Sequence, residues 1–305
     1  MSDERIDCLI VGGGPAGLTA AIYLARFRLS VVVVDAGHSR AALIALTRNH
    51  AGFPEGISGK ALLARMRRQA ELHGARIILG RVEELNVAPE GFVVRSSTSE
   101  LRAGAVLLAT GVTNLRPPMD ETLHMRALEQ GRLRYCPVCD GYEVTDQRVA
   151  VIGFGARAAG EAEFLRAYTA SVTLIALEAD DGLDDSQRRR LDEIGVRRIA
   201  GPAGDFALED DSISLACSKG RLRFDAIYPA LGSEVHSDLA HGLGAAVTQD
   251  GCIRVDAHQR TSIDGLYAAG DVVLGLDQIS HAMGEAGVAA TSLRNDLAKQ
   301  APFLR

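Results

Sequence analysis

An α/β protein built from two Rossmann-like dinucleotide-binding units is what this chain predicts, and three observations carry that expectation. Residues 8–11 form a short apolar run, "GGGPAG" turns the chain, "LTAAIYLARF" continues at helical spacing, and the valines 31–34 return as a β-branched strand ending in Asp35. That order of strand, glycine turn, helix and strand is a βαβ unit, and it implies a parallel sheet. The same order returns after residue 147, in "RVAVIGFGARAAGEAEFLRAY" followed by "ASVTLIALE". A length of 305 residues then suits two domains, at roughly 100–200 residues each.

Composition agrees and narrows the function. Apolar residues at 47%, charged residues at 24%, 32 glycines and no tryptophan describe a glycine-rich globular α/β chain. A formal charge of -6 with scattered basic residues gives no footprint for nucleic acid. The acidic start "MSDERIDCLIVGGG" leads at once into a strand and lacks a cationic, then apolar, secretory leader. No apolar run approaches the ~18 residues of a membrane helix. The expectation is a cytoplasmic protein with no membrane or nucleic-acid partner, where a persistent structural disulfide is disfavoured.

Between the two βαβ units come a loop "TRNHAGFPEGISG", a basic amphipathic helix over 60–74, and strands near 75–79, 91–96 and 106–109. After the second unit "DSQRRRLDEIG" predicts a helix whose charges mark a solvated face. Short strands follow near 213–217 and 227–230. The tail starts as a strand in "GLYAA", turns at Gly270-Asp271, and ends in a long helix rich in small residues. Cys8 and Cys252 fall in apolar strand patterns and Cys217 in "SISLACSKG", so all three read as packing residues.

Gly12-x-Gly14-x-x-Gly17 lies between a strand and a helix, the context in which this glycine spacing has meaning. The glycines permit a tight turn that brings backbone N–H groups at the helix start to a pyrophosphate, and Asp35 ends the next strand where an acid takes a ribose hydroxyl. Gly153-x-Gly155-x-x-Ala158 repeats the pattern, with alanine at the place needed only for helix-to-strand packing. Residues 174–181 contain Glu178, Asp180 and Asp181 and no arginine. Like charge there opposes the 2′-phosphate of NADPH, whereas Glu178 suits the plain ribose of NADH. A third reading leaves this second site without a nucleotide, as a relic that keeps the fold.

The remaining two cysteines stand in "RYCPVCDG", as Cys136-Pro137-Val138-Cys139 followed by Asp140. A structural zinc site wants four ligands, and no second pair of this spacing exists in the chain, so no metal is expected. A CxxC pair instead cycles between dithiol and disulfide, and the adjacent carboxyl suits general acid–base work on the thiolate. Capping of the "CDG" turn by Asp140 is compatible with that role. Two dinucleotide units and one CxxC together suggest electrons moving between a flavin and a dithiol.

In this order, "GGGPAGLTAA", "LLATG" at 107–111, "YCPVCDGYE" at 135–143, "VAVIGFG" at 149–155 and "TSIDGLYAAGDV" at 261–272 resemble the low-molecular-weight thioredoxin reductases, pyridine nucleotide-disulfide oxidoreductases of class II, over essentially the whole chain. The resemblance implies two Rossmann-like domains of three-layer ββα type, the second inserted into the first. Residues 1–115 and 237–305 would form a discontinuous FAD domain, and 116–236 an NAD(P)-type domain carrying the CxxC. It places Gly12, Gly14, Pro15, Ala16 and Gly17 at the FAD pyrophosphate and Asp35 at its ribose. Asp271 falls on the ribityl-phosphate side, and Asn49, Ala109, Thr110, Gly111, Gly270, Gln278 and Ile279 complete the site. It assigns Cys139 to the flavin, Cys136 to a partner disulfide and Asp140 to the proton, in a homodimer whose inserted domain rotates.

Two departures qualify this. Family members that use NADPH read "HRRxxxR" where this chain reads "ALEADDG", and they read "RQA" where this chain has "LDQISHAMGEAG". Here the chain looks like thioredoxin-reductase-like flavoproteins that do not use NADPH, and His281 enters as a second acid/base candidate beside a structural or exposed role. Three functions follow: a reductase feeding a thioredoxin-like protein from a nicotinamide nucleotide, a dithiol oxidase or ferredoxin-linked reductase, or an FAD-binding redox sensor without fast turnover.

Overall fold

The computed structural model describes residues 5–97 and 99–303, and the chain divides into two compact units. The first takes Met1–Ala42, Ile57–Thr113 and Val235–Arg305; the second takes Leu43–Gly56 and Asn114–Glu234.

The first unit opens with β1 (Arg5–Val11), α1 (Pro15–Arg26) and β2 (Val31–Asp35). β2 is buried along its whole length and β1 along most of it, as the sequence requires of parallel strands covered on both faces. There follow α2 (Gly59–Leu72), capped by Ser58 Oγ accepting from Ala61 N–H at 3.2 Å, then β3 (Arg76–Leu79), β4 (Val82–Ala88), β5 (Gly91–Ser96) and β6 (Glu100–Leu108). The sheet runs β3-β2-β1-β6-β5-β4, parallel from β3 to β6 and antiparallel beyond. The sequence gives no sign of β4, because a register shift between Val82 and Glu84 breaks its alternation.

The chain passes into the second unit along β7 (Val112–Asn114) and runs through α3 (Glu121–Glu129), the short α4 (Pro137–Asp140), β8 (Val149–Gly153), α5 (Gly155–Leu165) and β9 (Val172–Ala176). Next come α6 (Asp185–Glu193), started by a capping box of Asp184 and Gln187, and β10 (Arg197–Ile199). An antiparallel meander of β11 (Gly204–Glu209), β12 (Ser212–Cys217) and β13 (Gly220–Phe224) precedes β14 (Ala226–Ala230), and β15 (Ser233–Val235) leads back. The parallel sheet is ordered β10-β9-β8-β14. Along the free edge of β14, Ile227 N–H donates to Arg132 O at 2.8 Å and Arg134 N–H to Ile227 O at 2.9 Å. Pro229 comes two residues later on that edge, a position where a strand tolerates proline.

In the first unit the tail supplies α7 (Asp238–Gly242), β16 (Leu266–Ala268), parallel to the end of β6, and α8 (Ile279–Gln300). The buried alanines of α8 join α1 over one sheet face, on Cys8, Ile10, Val33 and Leu107. Residues of the β4–β5 hairpin, with Ala240 and Ile253, cover the other, on Leu9, Val11, Val32 and Leu108. Both units are Rossmann-like.

Three expectations change in detail. The segment 43–56, expected with residues 1–115, clusters with the second unit, where Leu43 packs on a core that includes Leu128 and Leu133. Cys252 lies outside every strand. β9 stops at Ala176, so Glu178 stands exposed in the bend beyond it and does not end the strand.

Candidate active site

At the first glycine turn the backbone itself sets the residue type. Gly12 has φ +109°, and a Cβ there would lie 2.2 Å from Ala109 O; one on Gly17 would lie 1.9 Å from Gly12 O. These approaches draw Ala109 beside the turn, with Thr110 Oγ1 donating to His236 O at 2.6 Å. Gly14 caps α1 with no side-chain hydrogen bond, and Pro15 takes the first helical position, where its missing N–H costs nothing. Asp35, 8% exposed, lies against Gly13. Its Oδ1 accepts from Gly37 N–H at 3.0 Å and its Oδ2 from Arg67 Nη2 at 2.7 Å.

The Gly270-Asp271 turn joins the same place, since a Cβ on Gly270 would come within 2.9 Å of Ala16 Cβ. Arg40 Nη2 donates to Asp271 Oδ2 at 2.7 Å, and its Nη1 lies 3.2 Å from Asp277 Oδ2. Burial raises the Asp271 carboxyl above its ordinary range, against the opposite pull of Arg40. Gln278 and Ile279 begin α8, and His281 Nε2 lies 3.0 Å from Glu285 Oε1. Glu285 in turn accepts from Gly270 N–H at 2.7 Å. The structure therefore brings the glycines of the first turn, Pro15, Ala16, Asp35, Ala109, Thr110 and Gly270 together around the start of α1, with Gly111 and Asp271 next to them in the chain. Asn49 belongs to the other compact unit and hydrogen-bonds Thr47 there.

In the second unit Cys136 and Cys139 form a disulfide with Cα atoms 5.2 Å apart. Cys136 caps α4, its Sγ accepting from Cys139 N–H at 3.1 Å, and Pro137 sets the helix start. Tyr135, just before, is pinned by a 2.8 Å hydrogen bond between its hydroxyl and His124 Nε2 of α3. Asp140 Oδ2 accepts from Arg134 Nη1 at 2.8 Å, and Oδ1 from the hydroxyl of fully buried Tyr228 at 2.9 Å. Burial pushes the Asp140 carboxyl up, opposed by the Arg134 charge and by both donors. One residue from the disulfide there is thus a half-buried carboxyl with a fixed orientation. Arg134 and Tyr228 were not expected from the sequence: Arg134 sits in the CxxC stretch, but Tyr228 comes from β14, 88 positions away.

At the second glycine turn Gly155 has φ +60° and starts α5, and a Cβ on Gly153 would stand 3.0 Å from Ala158 Cβ. Two arginines reach the bend after β9 from elsewhere, Arg188 of α6 and Arg198 of β10, so the local absence of arginine in the sequence does not describe the charge there. Among the described residues no cluster of three His, Cys, Asp or Glu side chains is placed to hold a metal, and no helix is long and apolar enough to cross a membrane.

Comparison with known proteins shows the family to which the chain belongs. The family model described as pyridine nucleotide-disulphide oxidoreductase matches residues 6–286. A thioredoxin reductase of Streptomyces coelicolor is 31% identical over 290 residues, 90% of this chain and 87% of that one. One from Bacillus subtilis is 28% identical over 315 residues, 97% of this chain and 96% of that one. The crystal structure of thioredoxin reductase from Streptococcus pyogenes superposes with a TM-score of 0.89 at 27% identity, covering 98% of this chain and 100% of that one.

Proposed function

Since the chain belongs to the pyridine nucleotide-disulphide oxidoreductases, as a flavin-dependent disulfide oxidoreductase of thioredoxin reductase type, we propose that it binds FAD in its first unit and exchanges electrons between that flavin, the Cys136–Cys139 pair and a thioredoxin-like protein or small dithiol. The observation that carries this reading is the oriented carboxyl of Asp140 beside the disulfide.

The first unit fits the cofactor. Gly12 and Gly17 leave no room for a Cβ, so backbone approaches closely at the turn, and no side chain caps the first amides of α1 by a hydrogen bond. Gly12, Gly14 and Gly17 would hold the pyrophosphate, Asp35 a ribose, and Asp271 with Arg40 the ribityl side. FAD supplies there the two-electron redox chemistry that a dithiol exchanges. In the reducing direction the Cys136 thiolate attacks a partner sulfur, forms a mixed disulfide and releases one partner thiolate. Cys139 then attacks Cys136 Sγ, which restores the intramolecular disulfide and releases the second thiolate. Asp140 delivers a proton to a departing thiolate, and it takes one back when the pair is next reduced.

The fold of the chain after β9 back onto the second glycine turn, where Asp181 O accepts from Gly155 N–H at 2.8 Å, favours a second reading, in which substrate dithiols are the donor and a nicotinamide nucleotide is secondary. Anaerobic titration of the yellow protein with dithiothreitol, NADH and NADPH, followed by flavin absorbance, tests both. Dithiothreitol should bleach the flavin, and Cys139→Ser should abolish that bleaching; a wild-type flavin indifferent to dithiol overturns the electron path.

A further inference from the structure

The second unit repeats the glycine turn of the first, but its own chain closes over it. Gly155 N–H, at the helix start where the second glycine of such a turn lets backbone approach a pyrophosphate, donates to Asp181 O at 2.8 Å. The equivalent amide in the first unit, that of Gly14, has no such backbone partner among the described residues. Gly182 follows with φ +62° and lies on the ring of Phe154, the residue between the two glycines of the turn; a Cβ on Gly182 would meet the ring at 2.2 Å. The Asp181 carboxylate anchors the fold-back, for Oδ1 accepts from Arg188 Nη2 at 2.7 Å and Leu183 N–H at 3.1 Å, and Oδ2 lies 3.9 Å from Arg198 Nη1.

We propose that Asp181 and Gly182 are an internal occupant of the second dinucleotide site. They offer the glycine turn an oxygen and the arginines an anion, the two things a nicotinamide nucleotide would bring. An N–H already committed to a carbonyl serves a phosphate only after that carbonyl leaves, and Phe154 and Arg188 hold it in place. On the FAD and Cys136–Cys139 reading above, the reductant is then a dithiol: each substrate dithiol reduces one Cys136–Cys139 disulfide, gives up two electrons and two protons and becomes a disulfide itself, and dioxygen is the final acceptor of the electron pair, reduced to hydrogen peroxide.

Isothermal titration of the flavin-loaded protein with NADH and NADPH tests the occupant without relying on turnover. Wild type should show no saturable binding up to about 1 mM, the weak end of specific affinity. The Phe154→Ala/Asp181→Ala variant should bind at least about tenfold tighter. Micromolar binding by wild type overturns the proposal, and so does a folded variant that gains nothing. If that variant loses its flavin, the single variant Phe154→Ala replaces it and is read in the same way. Dithiothreitol bleaching of wild type, measured alongside, separates the two ideas: its failure sinks the electron path while the binding result still decides the occupant.

Discussion

Asp140 is held by two donors, and both favour its charged form against the burial that opposes it. Replacing it with asparagine should slow thiol–disulfide exchange by about 10²–10⁴, measured as turnover of a disulfide substrate. The sign of its pH response follows from the same contacts. A carboxyl raised above its ordinary range keeps its proton to higher pH, so donation to a departing thiolate fails as pH rises through the raised value. Tyr228→Phe deletes a donor that stabilises the carboxylate, and the falling limb should therefore move to higher pH; a limb that stays in place shows that another group supplies the proton. The CxxC and its acid were legible because they are neighbours in the chain. Tyr228 was not, because only the parallel alignment of the second sheet carries β14 to them.

The two glycine turns are the elements the sequence announced most clearly, and they are not equivalent. Both third positions look like a need for helix-to-strand packing, yet a Cβ on Gly17 would lie 1.9 Å from the carbonyl oxygen of Gly12, while Ala158 is accommodated in the second turn. Gly17→Ala sets Cβ against backbone that cannot swing aside. It should cost about 1–3 kcal/mol and release the flavin, read by thermal unfolding and by the absorbance of bound FAD. The fold-back of Asp181 onto Gly155 left no mark in the pattern, since a carbonyl is common to every residue. β4 was hidden for a related reason, its alternation broken by one register shift. Strands and helices with an unbroken period were legible; those fixed by a bulge or by backbone pairing with a remote turn were not.

For the molecule as a whole, the unexplained charge is Glu161 on α5. Its Oε2 is buried without a hydrogen-bond partner among the described residues, and burial pushes its pKa up to about 7 despite Arg157 nearby. The native protein thus keeps a proton that the unfolded chain releases at ordinary carboxyl values, so this group lowers stability as pH climbs from the ordinary carboxyl range towards 7, after which the deficit is constant. Glu161→Gln should leave the calorimetric unfolding midpoint near that of wild type at pH 5 and raise it by a few degrees at pH 8; equal midpoints at both pH values would sink the assignment. Domain count was readable from the repeated unit, but the allegiance of 43–56 was not, because it rests on where Leu43 finds a core. The free edge of β14 bears on how the redox pair works. Residues 132–134 ride that edge for a single bridge at Ile227, and Pro229, lacking an amide, cannot extend the ladder by another rung. The chain is let go just before Cys136. A disulfide threaded inside a ladder would tug on the register whenever its sulfurs part; hung past the last rung, it opens and closes while the sheet beneath keeps still.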